Sequence, residues 1–182
     1  EATILRVYVA SPLCWGIHVP YHSSINSIPD LQGRPFAISR EASGSHLMAF
    51  VLGSQNGWDI RKMKFKVVGD IYGGLWALEN DEAQAFLWEK YTTNPYVEQK
   101  KCRRIGEIMT PWSSFVIAAR NEVVQDALPA LNKMCDLVMN RAELLKKNQR
   151  SPEIISWRYN IDLYQVKQWL SQTEWGNVAK KS

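Results

Sequence analysis

A chain of 182 residues, 46% hydrophobic and 22% charged, is long enough and apolar enough for an ordinary buried core, which excludes a disordered or collagen-like protein. Its net charge of +4 is split between Lys100, Lys101, Arg103 and Arg104 and a second run at Lys146, Lys147 and Arg150. Neither run interleaves with aromatics as a nucleic-acid binder's would. No stretch has the length and apolarity of a membrane-spanning helix, and the widely spaced Cys14, Cys102 and Cys135 form no CxxC pair for zinc or redox work.

Ile4 to Ala10 reads as a strand. It runs into Ser11-Pro12-Leu13-Cys14-Trp15-Gly16-Ile17-His18, an extended apolar stretch whose proline and glycine breaks suit a hinge. His18 and His22 stand four apart with Pro20 between them, so they do not share a helical face as a metal pair would, and a hydrogen-bonded structural role is expected of His18. Arg34 to Ser39 is a short buried strand. Beyond it Leu47, Phe50 and Val51 recur at helical spacing until Gly57 can cap the helix, which makes a strand-turn-helix unit. Phe65 to Val68 supplies another strand, Ile71 to Asn80 a helix carrying Leu75, Trp76 and Leu78, and Ala85 to Trp88 and Arg104 to Ile108 two more strands. Strands alternating with helices predict an α/β fold, a mainly parallel sheet with helices on both faces.

Past Thr110-Pro111-Trp112 the run Phe115 to Ala119 is strand-like, and a helical tail follows. Leu131, Met134, Cys135, Val138, Ala142 and Leu145 fall on one face of a long amphipathic helix with Pro129 in its first turn. Ser151-Pro152-Glu153 reads as an N-cap with proline at the first helical position, and Leu163, Val166, Trp169 and Leu170 mark a last helix before the basic tail at Lys180-Lys181.

The turn Ser43-Gly44-Ser45-His46 is the main candidate for chemistry. At a strand-to-helix junction the first helical N–H groups lack internal partners and sit at the positive end of the dipole, so they attract an anion or a polar oxygen. Gly44 permits close approach, Ser43 and Ser45 add hydroxyls, His46 adds a ring, and Arg40 stands just before the turn. The plainer alternative is an N-cap in which Ser43 or Ser45 only satisfies backbone donors. Eight tryptophans suggest aromatic packing or stacking surfaces, and Trp88-Glu89 ends a strand where open α/β sheets present ligand contacts. There is no GxSxG elbow and no Walker loop, and the Gly69 to Gly74 run is not a dinucleotide fingerprint. No catalytic set, metal site or cofactor is therefore expected.

Several of these segments, in the order found here, resemble the type II periplasmic-binding-protein family, in particular its branch related to thiamine-pyrimidine precursor binding and to fungal intracellular homologues. They are Ser11 to Val19, Ile28-Pro29-Asp30-Leu31-Gln32-Gly33-Arg34, Ser39 to Met48, Phe86-Leu87-Trp88-Glu89 and Ile105 to Trp112. The resemblance implies residues 1–20 as a first crossover and remnant of lobe one, 21–112 as an α/β lobe two, and 113–182 as a second crossover and helical return. Ser11, Pro12, Thr110 and Pro111 would then be hinge positions. The family's opening segment, most of lobe one, has no counterpart in these residues. A small polar or anionic, pyrimidine-like or sulfonate-like solute is expected in an interlobe cleft, held by Ser43, Gly44, Ser45, His46 and Arg40. Trp15, Trp88 and Trp112 would stack on it and Glu89 would accept from an amino group.

The partner expected is that small molecule, with neither nucleic acid nor stable membrane insertion, and a transporter if a longer form is exported. Unpaired cysteines favour the cytoplasm, while a missing upstream piece would leave export open. The same branch includes a fungal pyrimidine synthase that consumes one of its own histidines, so an enzyme of that type is the alternative, and a scaffold with a vestigial cleft is a third.

Overall fold

The computed structural model describes residues 1–176; the Lys180-Lys181 pair lies outside the described residues. In chain order the elements are β1 (Ala2–Val9), β2 (Cys14–Pro20), β3 (Pro35–Ile38), α1 (Gly44–Gln55), β4 (Lys64–Val67), α2 (Ile71–Glu79), β5 (Ala85–Glu89), α3 (Lys90–Glu98), β6 (Cys102–Met109), β7 (Phe115–Arg120), α4 (Asn121–Lys147), α5 (Ser151–Tyr159) and α6 (Leu163–Gln172). They gather into two compact units, one formed by Cys14–Thr110 and the other by Glu1–Leu13 together with Pro111 onward.

The Cys14–Thr110 unit is built on a five-stranded sheet in the order β4-β3-β5-β2-β6. β3 pairs parallel with both β4 and β5, whereas β2 lies antiparallel between β5 and β6. β3, β4, β5 and β6 therefore run one way and β2 runs against them. The expected mainly parallel sheet is thus a mixed one. The reason is that β2 enters from outside the strand-helix succession, with no crossover helix before it to force a parallel pairing.

Alternation divides the side chains between two cores. Ile17, Val19, Phe36, Ala85 and Leu87 point to the face where Met48, Ala49 and Leu52 of α1 pack. Ala37, Phe86 and Cys102 point to the opposite face, under Leu75, Ala77 and Leu78 of α2. Gly74 lets α2 press onto the sheet, since a Cβ there would come within 2.4 Å of the Phe86 ring. At one edge β4 carries exposed Lys64 and Lys66, charges that discourage further strand pairing. Helix α3 has no forecast in the sequence: Thr92, Thr93 and Asn94 are weak helix formers and Pro95 sits inside it, so local propensity argued against an element that capping and packing sustain.

In the other unit β1 and β7 form a two-stranded antiparallel ribbon against which α4 packs. Ala127 departs from helical dihedrals and Pro129 follows it, so the long helix anticipated from Pro129 onward is the second limb of a kinked α4. Its anticipated apolar face is only partly covered. Cys135, Met139 and Ala142 are buried, while Met134, Leu137, Val138, Leu144 and Leu145 remain exposed. Ser151 occupies the first helical position of α5 rather than its N-cap, which is Arg150 without a side-chain bond. Tyr8 stacks on Trp175 at 5.5 Å, and Ser11 receives bonds from Ser114 on its carbonyl and from the Glu174 amide on its hydroxyl. The chain passes between the units at Leu13/Cys14 and Thr110/Pro111, close to the four expected hinge residues.

Candidate functional site

Because β3, β4 and β5 run parallel, the N-termini of the helices that follow them, α1, α2 and α3, all emerge at one rim of the sheet. Antiparallel β2 brings its first residues, Cys14 and Trp15, to the same rim. Open α/β sheets bind ligands outside the carboxyl ends of their strands for this reason.

The three helix starts differ in how their free N–H groups are met. At α2 the Asp70 carboxylate accepts from the Gly73 amide at 2.9 Å. At α3 the Glu89 carboxylate accepts from the amides of Tyr91 at 3.0 Å and Thr92 at 2.8 Å, and from the Thr92 hydroxyl at 2.7 Å. Each of these helices thus carries its own anion at its positive end. At α1 the cap is the neutral Ser43, whose hydroxyl accepts from the His46 amide at 3.3 Å. The backbone N–H groups of exposed Gly44 and of Ser45 have no partner among the described residues.

The side chains of this turn brace it. Ser45 Oγ accepts from the Ser39 amide at 2.9 Å and lies 3.0 Å from Ser43 Oγ, and both serines are buried. Their hydroxyls are therefore turned into the protein, and what the first residues of α1 expose is the backbone of Gly44. His46 accepts the Ala42 N–H on Nδ1 at 3.1 Å, and its ring lies between Phe50 at 4.6 Å and Phe65 at 4.4 Å. That makes it a packing and bracing residue rather than an outward donor. Its bond holds Ala42 at φ 56°, a left-handed conformation that costs a non-glycine residue about 1 kcal/mol. Arg40 is exposed at the start of the turn.

Trp15 reaches the same place from β2. A Cβ on Gly44 would stand 2.9 Å from its ring, so glycine is what lets the indole close against the first turn of α1. The indole Nε1 is buried without a partner among the described residues. Trp88 does not join Trp15. It belongs to the core on the opposite face, with Phe86 at 5.3 Å, because consecutive strand positions alternate. Glu89, expected to accept from a ligand, has both oxygens committed to the start of α3. Trp112 is 41% exposed and lies in the other unit.

His18 has the hydrogen-bonded structural place expected of it, and its link to Arg104, which was not foreseen, braces the rim. His18, fully buried, donates from Nδ1 to the Phe86 carbonyl at 3.1 Å and accepts on Nε2 from Arg104 Nε at 3.5 Å. Burial, reinforced by the Arg104 charge and only partly opposed by the Phe86 carbonyl, lowers its pKa to about 4. Arg104 in turn donates to the Lys90 carbonyl at 3.1 Å and to Asn94 Oδ1, clamping the first turn of α3. Gly16 makes room for the clamp, since a Cβ there would stand 2.5 Å from the His18 ring and 2.9 Å from Arg104. In the sequence only the glycine beside a histidine hinted at this.

Among the described residues no group of histidine, cysteine, aspartate or glutamate could hold a metal ion, and no helix is long and apolar enough to cross a membrane.

Residues 15–108, more than half of the 182, match the model of the Ca3427-like PBP family. No curated protein matches the chain. Among solved structures the chain is similar to the Candida albicans CA3427 gene product, described as exhibiting the generic periplasmic binding protein fold, with 26% identity and a TM-score of 0.86 over 96% of this chain and 58% of that one. It is also similar to the alkanesulfonate-binding protein SsuA from Xanthomonas axonopodis pv. citri, bound to MOPS, with 13% identity and a TM-score of 0.71 over 93% of this chain and 61% of that one. The aliphatic sulphonate binding protein SsuA from Escherichia coli gives 15% identity and a TM-score of 0.72 over 97% and 61%. The chain thus spans 58–61% of the length of these structures.

Proposed function

The chain belongs to the Ca3427-like PBP family, and from that premise we propose that it is a non-catalytic binding protein that takes a small solute by an anionic, sulfonate-like group at the start of α1. The observation that carries this reading is the contrast along one rim: α2 and α3 hold built-in carboxylates, while α1 is capped by a neutral serine and leaves the amides of exposed Gly44 and of Ser45 without a partner among the described residues. An anion at a helix N-terminus gains about 0.3–1 kcal/mol when exposed and up to ~2 kcal/mol when partly buried, so it prefers the one start where no acid already stands. Direct bonds to two amides add charge-assisted hydrogen bonding of the kind used for phosphate and sulfate.

Trp15 beside Gly44 offers the ligand's apolar part a flat neighbour. The solved neighbours named as sulfonate-binding share the fold, and their named ligand class is the one taken into this proposal. The proposal is tested by calorimetric titration with ethanesulfonate and with its neutral isostere ethyl methyl sulfone. Binding of the sulfonate at millimolar affinity or better, with the sulfone at least tenfold weaker, is the expected result. Equal binding of the two, or binding of neither, refutes the assignment.

A further inference from the structure

Resting on the reading that α1 holds the anion, we propose that Lys90 and Glu107 form a second subsite on the same rim, which takes a neutral carboxamide-like group at the far end of an elongated anionic ligand. Lys90 Nζ stands 2.9 and 3.0 Å from the two Glu107 oxygens, and the Cys14 thiol donates to Oε2 at 3.4 Å. Arg104 Nη1 lies 3.6 Å from Oε1, but its other donors are spent on His18, the Lys90 carbonyl and Asn94. The Glu107 side chain is 41% exposed and that of Lys90 23%, so these two face outward.

Their remaining bonding capacity sets the ligand chemistry. An ionised carboxylate offers about four lone-pair sites and an ammonium three N–H groups. Lys90 and Cys14 use three of the former, and Glu107 uses two of the latter. One acceptor site and one donor are left side by side, which a carboxamide matches by giving its N–H to Glu107 and taking from Lys90. The charges argue against a second acid or a lone amine. Lys90 and Arg104 stand against Glu107 and the neighbouring Glu89, so the cluster has no surplus of either sign for an ion to neutralise. Burial works upward on the Glu107 carboxyl, yet the Lys90 and Cys14 bonds with the Lys90 and Arg104 charges hold it below its usual range, so it remains an acceptor at neutral pH.

The sheet supplies the length. From β3, which leads into α1, the order continues through β5 to β2 and β6, and strands lie about 4.8 Å apart, so three spacings separate the two subsites by roughly 14 Å. α1 packs on one face of the sheet, whereas Glu107, paired with Gly16, which on its other side pairs with Trp88, lies on the other. The ligand therefore crosses the rim over the ends of β5 and β2, where Trp15 lies.

The test is a calorimetric series of ω-carboxamido alkanesulfonates running from short chains to ones well beyond the expected span, beside the parent alkanesulfonates and the α,ω-disulfonates. The expected result is an optimum length of roughly 14 Å, at which the amide exceeds its parent by tenfold or more. That ratio falls toward one in both Lys90→Met and Glu107→Gln, and the disulfonates gain nothing over their parents. Parent sulfonates that bind with no length optimum in the amide series overturn the second subsite alone. So does an optimum whose ratio survives both substitutions, or a disulfonate that matches the amide. Absence of binding across the whole series overturns the α1 reading and this one together.

Discussion

The buried His18 makes stability depend on pH in a direction and amount that can be worked out. In the unfolded chain an imidazole titrates near 6.5, whereas burial against Phe86 and beside Arg104 lowers the folded value to about 4. The folded state therefore prefers the neutral ring. His18's contribution is fully present above the unfolded value and is lost as pH falls from about 6.5 toward 4, because the unfolded chain takes up the proton first. A gap of some 2.5 units at 1.36 kcal/mol each amounts to about 3 kcal/mol in full, of which about 2 kcal/mol is gone by pH 5. Urea unfolding of wild type and of His18→Asn between pH 7.5 and 4.5 isolates this share, since every other titratable group is common to both proteins. The asparagine keeps a donor for the Phe86 carbonyl and cannot titrate. The difference in stability between the two proteins should shrink by about 2 kcal/mol from pH 7.5 to 5. A difference that stays constant, or a His18 ring that titrates near 6.5 by NMR, refutes the reasoning.

Two further substitutions test the architecture of the rim. Gly16→Ala drives a methyl group to within 2.5 Å of His18 and 2.9 Å of Arg104 and should cost about 1–3 kcal/mol in chemical denaturation, with amide exchange rising in the first turn of α3. A cost under half a kcal/mol would mean that the clamp yields freely. Glu89→Ala removes the α3 cap and should cost about 1–2 kcal/mol of stability while leaving sulfonate affinity at α1 within twofold. A loss of affinity larger than the loss of stability would return Glu89 to the ligand.

The fold was legible because its signals are local. Gly57 and Ser43 bracket α1 and short continuous apolar runs mark β3 and β5, although the side of α1 that packs carries Met48, Ala49 and Leu52, and Leu47 of the spacing that announced the helix is exposed. Helix α3 escaped because Glu89 reads as the end of a strand rather than as a cap, and because the Arg104 that holds the first turn comes from a later strand. The candidate site was legible in position more than in chemistry. The Ser43 to His46 turn does stand at the sheet's carboxyl rim, but the side chains that made it conspicuous face inward, and Glu89 serves its own helix. Trp15 and Trp88 illustrate the same gap, since which residue shares a face with which depends on strand pairing. Lys90, Glu107 and Arg104 look like ordinary surface charges in the sequence, and only the β2–β6 register brings Cys14 and His18 to them.

Helix α1 is proposed to bind an anion because, unlike α2 and α3, it does not already hold one. Ser43→Asp supplies that missing carboxylate in the manner of Asp70 at α2, and aspartate caps helices about as well as serine. Calorimetric titration of ethanesulfonate into this variant should show affinity reduced at least tenfold in a protein that still unfolds cooperatively in urea, at a stability cost of about 1–3 kcal/mol because the carboxylate replaces a buried hydroxyl. Sulfonate binding that persists in a stably folded Ser43→Asp protein would contradict the claim.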